Sequence, residues 1–370
     1  MNLYIALELS NKKWKLGFTT GTKIRLRTID AGDRKAFVAE LDRTRELWNL
    51  SGQIPVLSVY EAGRDGFWIH HWLESLGITN LVVDPASIEV SRRKRRVKTD
   101  RLDVRALVCQ LMRYHGGERR VWSVVRVPSP EAEDERRSER EIKSLKKDRT
   151  ALVSRLKSLL VLHGCKPVSL ARLPQKLPQL RQWDGSPLPA ELTAELLRGW
   201  ERLELLAEQI RRLEKARGES LTVPVTPAQQ MAARLVRLRG IGPVGGMLLS
   251  LEFFAWRRFR NVREVGACAG LTGTAYDSGE SMREQGISKA GNRRVRGLVI
   301  ELAWTWLRLQ PDSALSRWFR ERFAVGRRSR RIGIVALARK LLVALWKYLE
   351  KGELPEGARL KISAQTEAVA

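Results

Sequence analysis

Four carboxylates in the first third of the chain have the types and positions to hold a divalent cation. Glu8 lies in the alternating segment LYIALEL (3–9), on the face opposite Leu3, Ile5, Leu7 and Leu9. Glu61 closes the apolar run PVLSVYEA (55–62). Asp100 and Asp103, in KTDRLDVRAL, are three apart, so on a helix they share a face. They also fall in its first turn, where the helix dipole favours negative charge. Acids at strand ends and at a helix N-terminus can converge on one cleft, and hard oxygen donors there suit Mg²⁺ together with phosphate oxygens of a substrate. Taken singly, each acid is better explained as an ordinary surface residue, Asp100 and Asp103 as N-terminal helix acids paired with nearby arginines.

A second set of reactive groups lies in AYDSGESMREQGISKAGNRRVR (275–296), which holds Ser278, Ser281 and Ser288. A serine needs a base, a metal or cationic surroundings to act as a nucleophile, and no histidine is near in sequence, so a Ser-His-Asp triad is not indicated. On chemistry alone DSG is a turn signal. Ser288, followed by Lys289 and Gly291, has the setting of a phosphate-cradling turn.

The elements that would position these groups follow from periodicity. After LYIALEL, KWKLGFTT and KIRLRTI follow at hairpin distances, then a helix over 33–48, the strand 55–62, a helix around 66–76 and the strand NLVVD (80–84). Three antiparallel strands followed by strands alternating with helices is the order of a ribonuclease-H-like α/β fold. A basic loop, SRRKRRVK, then runs into the helix that begins near Asp100. Residues 131–163 and 190–217 carry apolar residues at helical spacing around a Pro-rich stretch, the pattern of an antiparallel coiled-coil arm or a plain helical hairpin. A compact helical domain begins near Met231. The expected division is 1–130, 131–228 and 229–355, with 356–370 as a tail.

Composition narrows the partners. The chain has 370 residues with 68 Lys+Arg against 41 Asp+Glu, a net charge of +27, and polyanions are the natural complement. Basic clusters stand at Arg92, Arg93, Lys94, Arg95, Arg96 and Lys98, at Arg293, Arg294 and Arg296 after Asn292, and at Arg327 and Arg328. LRGIGPVGG (238–246) reads as a helix-hairpin-helix turn, in which Gly240 and Gly242 let backbone N–H groups approach a phosphate. A structural corner uses the same glycines. Trp304, Trp306, Trp318 and Trp346 recur at near-helical spacing, and such stripes are mostly core. Three separated cysteines and four histidines without a cluster argue against zinc or a disulfide framework and fit reduced thiols in the cytoplasm. No apolar run approaches the ~18 residues of a membrane span, and Glu8 interrupts what a signal peptide would keep apolar.

YIALELSNKKW, YEAG, VKTDRLDVRAL, LRGIGPVGG, FRNVREVGACAGLTGTAYDSGE, GISKAGNRRVRG and GRRSRRIGIVALARKLLVALWKYLEKGELPE occur in this order over nearly the whole chain. Together they resemble the DEDD transposases of the insertion-sequence one-hundred-and-ten family, related to the Piv invertases and including bridge-RNA-guided recombinases. The resemblance implies a RuvC-like ribonuclease-H domain, a coiled-coil segment and a C-terminal helical transposase domain. It implies an acidic tetrad at Glu8, Glu61, Asp100 and Asp103 that binds Mg²⁺, and a nucleophile at Ser278 rather than at Ser281 or Ser288. It further implies a covalent phosphoserine link to double-stranded donor and target DNA, a non-coding guide RNA, and dimers assembling into a tetramer. This chain departs from the family in having Glu8 where the first tetrad position is Asp, and Gly273 where Pro is common. A RuvC-like nuclease acting through metal-activated water, or a catalytically weakened nucleic-acid-binding remnant, is the alternative function.

Overall fold

The computed structural model describes residues 1–89, 100–166, 168–278, 281–323 and 326–361, with side chains described except at 100–101 and 275–285. The chain divides into two units, Met1–Val127 and Pro128–Ala370.

The first unit is a mixed α/β layer structure. Strands β1 (Leu3–Leu9), β2 (Lys13–Thr19) and β3 (Ile24–Asp30) precede helix α1 (Arg34–Leu47), whose N-terminus is capped by the Asp33 side chain. Strand β4 (Val56–Glu61), helix α2 (Trp68–Ser75), strand β5 (Thr79–Val83) and helix α3 (Asp100–His115) follow. The sheet order is β3-β2-β1-β4-β5, antiparallel on the β2 side of β1 and parallel on the β4 side. Leu3, Ile5, Leu7, Trp14, Phe18 and Tyr60 form one core with Phe37 and Leu41 of α1 and Ile69 and Leu73 of α2. Ala6, Val59 and Val83 form another with Val104, Leu107, Val108 and Leu111 of α3. Both faces of the central strands are therefore covered, which is what parallel strands require.

The α3 face is built for close approach. A Cβ on Gly17 of β2 would lie 2.5 Å from Val104 Cγ1, so only glycine admits the helix at that distance. At the other end of α3, Tyr4 Oη and His115 Nδ1 are 2.9 Å apart. Gly17 is the register partner of Ala6, so along β1 the helix passes Ala6 first and Tyr4 last. Helix α3 thus runs antiparallel to β1, and its first turn points toward the Glu8 end of the strand. Gly17→Val should overpack this contact, lowering the stability of the first unit by about 1–3 kcal/mol in chemical denaturation.

The second unit opens with a short helix α4 (Pro130–Asp134), capped by Ser129, and two long helices, α5 (Arg137–Leu162) and α7 (Ala190–Thr222), with the single turn α6 (Leu173–Lys176) between them. Helices α5 and α7 are antiparallel: Glu139 meets Arg217, Lys146 meets Glu214, and Arg155 meets Glu195. Gly199 faces Leu156, where a Cβ would come within 2.4 Å of Leu156 Cδ2. Helices α8 (Pro227–Val236), α9 (Pro243–Leu249), α10 (Val262–Cys268), α11 (Arg293–Leu309), α12 (Ala314–Phe323) and α13 (Arg327–Lys351) complete the unit. A hairpin of β6 (Gly273–Ser278) and β7 (Ser281–Ile287) interrupts the helices, where the sequence pattern suggested only a turn. Its polar composition, interrupted by Gly279 and Gly286, hides the alternation that marks a strand.

Residues 356–361, expected as the start of a tail, are instead pinned. Ala358 is buried, Leu360 bridges to Leu238, and the Gln310 side chain donates to the carbonyls of both Arg239 and Arg359. These contacts are mostly made by backbone atoms and leave no trace in side-chain pattern. No helix among the described residues is long and apolar enough to cross a membrane.

The Glu139–Arg217 pair is nearly dry, at 9% and 8% side-chain exposure. Burial pushes the Glu139 carboxyl above its ordinary value despite the facing guanidinium. The pair therefore specifies the pairing of α5 with α7 more than it stabilises it. Arg217→Ala alone should cost about 3–5 kcal/mol, whereas Glu139→Leu with Arg217→Met should keep or raise the thermal midpoint.

Candidate active site

The parallel pairing of β1 with β4 brings two of the four sequence-picked acids together. Leu7 is in register with Tyr60, so the next residues, Glu8 and Glu61, stand side by side at the ends of neighbouring strands. Both are half-buried, and both line one cleft of about 260 Å³ with Asn11, Arg64 and Asp65. They lie on the face covered by α3, because they share strand parity with Ala6 and Val59. Asp103 is half-buried one residue before Val104, in the turn of α3 directed at this end of the sheet. Asp100 starts the same helix, but its side chain lies outside the described residues, as does the whole segment from Arg92 to Lys98.

Among the described residues no group of three or more His, Cys, Asp or Glu is close enough to hold a metal ion. The donor chemistry nonetheless fits a hard cation in part, since two carboxylates and the amide of Asn11 open on one cleft. Asp65 shares that cleft and carries an ion pair to Arg64 at 3.5 Å. Sequence reasoning did not single it out.

The second cluster is in the C-terminal unit. Ser278 is the last residue of β6 and pairs in register with Ser281, the first of β7. Gly279 and Glu280 lie outside the described residues. Ser288 has a structural role, because its N–H donates to the Thr272 carbonyl at 2.8 Å and closes the base of the hairpin. The chain then turns at Lys289 (φ 55°) and Gly291 (φ 105°) into α11. Here two backbones nearly touch. A Cβ on Gly270 would be 2.1 Å from the Ala290 oxygen, and one on Gly291 would be 2.3 Å from the Cys268 oxygen. Asn292 caps α11 by accepting from the N–H groups of Arg294 and Val295, and Arg293, Arg294 and Arg296 occupy the first turn.

Gly240 (φ 98°) and Gly242 form the turn between α8 and α9, with Gly242 exposed. Arg327 and Arg328 are exposed at the start of α13.

Sequence reasoning missed the residue that organises this region. Helix α9 runs into a π-helical turn, Ser250–Phe254, which buries Glu252 to 4% exposure. Arg140 of α5 grips its carboxylate with two parallel bonds, Nε to Oε1 at 2.8 Å and Nη2 to Oε2 at 2.9 Å. Arg294 adds a third at 3.2 Å. The Glu252 carbonyl accepts from Asn292 Nδ2 at 3.2 Å and from Arg257 Nη1 at 2.7 Å. Arg136 lies nearby, buried over the Trp256 ring at 5.2 Å. The only signal in sequence was one acid in the apolar run MLLSLEFFAW.

Residues 232–317, which span this knot apart from its α5 arginines, match the model of the family described as transposase IS116/IS110/IS902. "Putative transposase y4rJ" of Sinorhizobium fredii (strain NBRC 101917 / NGR234) is 43% identical over 375 residues, covering 97% of this chain and 94% of that protein. "Probable family 20 transposase" of Pseudomonas aeruginosa is 28% identical, over 76% of this chain and 81% of that protein. "Transposase for insertion sequence element IS1328" of Yersinia enterocolitica is 29% identical, over 45% of this chain and 48% of that protein.

Burial pulls the Glu252 carboxyl upward, but the Arg140 hydrogen bonds and the charges of Arg140, Arg294 and Arg136 outweigh it and hold the group below its ordinary value. A depressed carboxylate stabilises the fold fully above the ordinary glutamate pKa and loses that contribution as pH falls through the lower folded value. Glu252→Gln should cost about 2 kcal/mol at neutral pH, less than a fully buried pair because Arg140 and Arg294 stay partly hydrated. The difference from wild type should shrink in melts run at progressively more acidic pH, below the ordinary glutamate range.

Proposed function

This chain belongs to the IS116/IS110/IS902 transposase family, and on that premise we propose that it exchanges DNA strands through a phosphoserine intermediate at Ser278, with Mg²⁺ held by Glu8, Glu61, Asp100 and Asp103. That it is a DNA transposase of an insertion sequence follows from the family; the serine, the ion and the tetrad are our reading. The observation that carries the reading furthest is the side-by-side pairing of Glu8 and Glu61 in one cleft, at the end of the sheet toward which α3 directs its first turn. That arrangement is what a RuvC-like ribonuclease-H domain needs of its acids.

In this proposal the Ser278 oxygen bonds to the phosphorus of a DNA phosphodiester as one P–O ester bond breaks; the serine proton ends on the displaced oxygen, which leaves as a free hydroxyl strand end, and the other strand end stays attached to the protein. Bound Mg²⁺ would stabilise the charge that develops on phosphate and leaving oxygen. Lys289, Arg293, Arg294 and Arg296 hold neighbouring phosphates, at the positive end of the α11 dipole. Gly240 and Gly242 offer a second backbone-phosphate contact as a helix-hairpin-helix. Arg92, Arg93, Lys94, Arg95, Arg96, Lys98, Arg327 and Arg328 track the polyanion without reading its sequence. The same reading includes a non-coding guide RNA and dimers that assemble into a tetramer, so that acids and serine of different protomers can serve one strand.

Ser278→Ala should abolish strand exchange and the covalent DNA–protein adduct, seen as loss of the shifted band after denaturation. Hydrolysis without an adduct in the wild-type protein would instead mark a water-using nuclease. Glu61→Gln should cut the rate by at least 100-fold while leaving DNA affinity within a few-fold. Glu8→Asp should raise the rate, because the shorter side chain restores the reach of a family aspartate to a near-octahedral ion. Sequencing the nucleic acid that co-purifies should return one discrete structured RNA; random cellular RNA would count against guidance.

A further inference from the structure

Trp304 and Trp306 lie two positions apart on α11 and have opposite fates. Trp306 is 1% exposed and donates its indole N–H to Ser313, as a core tryptophan should. Trp304 is 42% exposed, held by an edge-on contact to the buried Phe319 ring at 6.5 Å between centroids. It lines a cleft of about 420 Å³ whose other walls are Gly326, Arg327, Arg330 and Arg331 of the α13 start. Arg327, Arg330 and Arg331 are spaced to share one face of that helix and are exposed. None of the three makes an ion pair among the described residues.

This arrangement is unfavourable by itself. Arginines crowd the positive end of a helix dipole, and the first turn of α13 carries no acid to offset them. An anion in the cleft would relieve both the repulsion and the dipole. A free phosphate would leave the indole unused. A base in a duplex is already stacked on both sides and has no face to offer. An unpaired nucleotide satisfies the aromatic wall and the guanidinium wall together.

We propose that the cleft between α11 and α13 takes an unpaired nucleotide, with its base stacked on Trp304 and its flanking phosphates on Arg327, Arg330 and Arg331. The proposal rests on the reading of the chain as a nucleic-acid enzyme and adds a site for single-stranded segments of DNA or RNA. Stacking is tolerant of sequence, so the site holds a strand in place rather than reading it.

The test is binding of the full-length protein to three probes of one sequence: single-stranded RNA, single-stranded DNA and the paired DNA duplex. Trp304→Ala should weaken single-strand binding roughly 5- to 150-fold, leave the salt dependence of the remaining binding unchanged, and leave duplex affinity within about twofold. Trp304→Phe should recover most of the loss. Arg327→Ala with Arg330→Ala should instead flatten the salt dependence of single-strand binding by about 1.4 log units per log unit of salt. Ultraviolet crosslinking to a 5-bromouridine- or 5-bromodeoxyuridine-substituted strand should label the peptide that contains Trp304. A larger loss on RNA than on DNA would identify the guide as the occupant, and the reverse would identify an unpaired DNA strand. Unchanged single-strand affinity in Trp304→Ala, or an equal loss on the duplex, would overturn the proposal. The Ser278 adduct is measured separately. An adduct with no Trp304 effect removes only this site, and a Trp304 effect with no adduct removes only the serine mechanism.

Discussion

A single buried carboxylate holds the C-terminal unit in register. Glu252 is buried, so its charge is tolerable only while several guanidiniums stay within reach. That requirement ties three separate pieces of chain to one point: the start of the α5–α7 hairpin through Arg140, the π-helical turn that carries Glu252, and the cap of α11 through Asn292 and Arg294. The π turn is a departure from ideal helix that shifts side-chain phase by a residue, and such turns often accompany functional sites. Arg294, proposed above to meet a phosphate beside the hairpin, is thus positioned by a buried acid.

The same economy of acids runs through the molecule. With 68 basic residues and 41 acidic ones, carboxylates are scarce, and the structure concentrates them where they organise basic side chains. Glu139 and Glu214 meet Arg217 between the long helices, and Glu8 stands in register with Lys15 across β1 and β2. The exposed arginines of α11 and α13 are left without such partners in number, which suits a surface that meets a polyanion.

In the first unit the controlling constraint is steric. Parallel pairing of β1 with β4 fixes which residues stand abreast, and period-two alternation then fixes the face on which they point. Gly17 decides how near α3 can come, and so how near its first turn lies to the acid pair. A one-residue slip in either strand would separate Glu8 from Glu61 by turning one of them to the opposite face.

Sequence alone determined more of the elements than of the contacts. Strand alternation in LYIALEL, the apolar run ending at Glu61 and the helical spacing after Asp100 are local patterns, and the strands and helices formed where those patterns stand. The pattern also determined the basic surface and, through the ordered motifs, the family. What it could not determine were relations that depend on distance in space. Glu252 looked like an interruption in an apolar run because its partner Arg140 is 112 residues away. Ser288 had the setting of a phosphate-cradling turn, and only the fold showed that its backbone N–H closes the base of a hairpin. Trp304 and Trp306 were indistinguishable by type and spacing, and only the packing of α11 buried one and left the other beside three arginines. Periodicity is set by a residue's neighbours in the chain, while charge compensation and exposure are set by whatever the fold brings alongside.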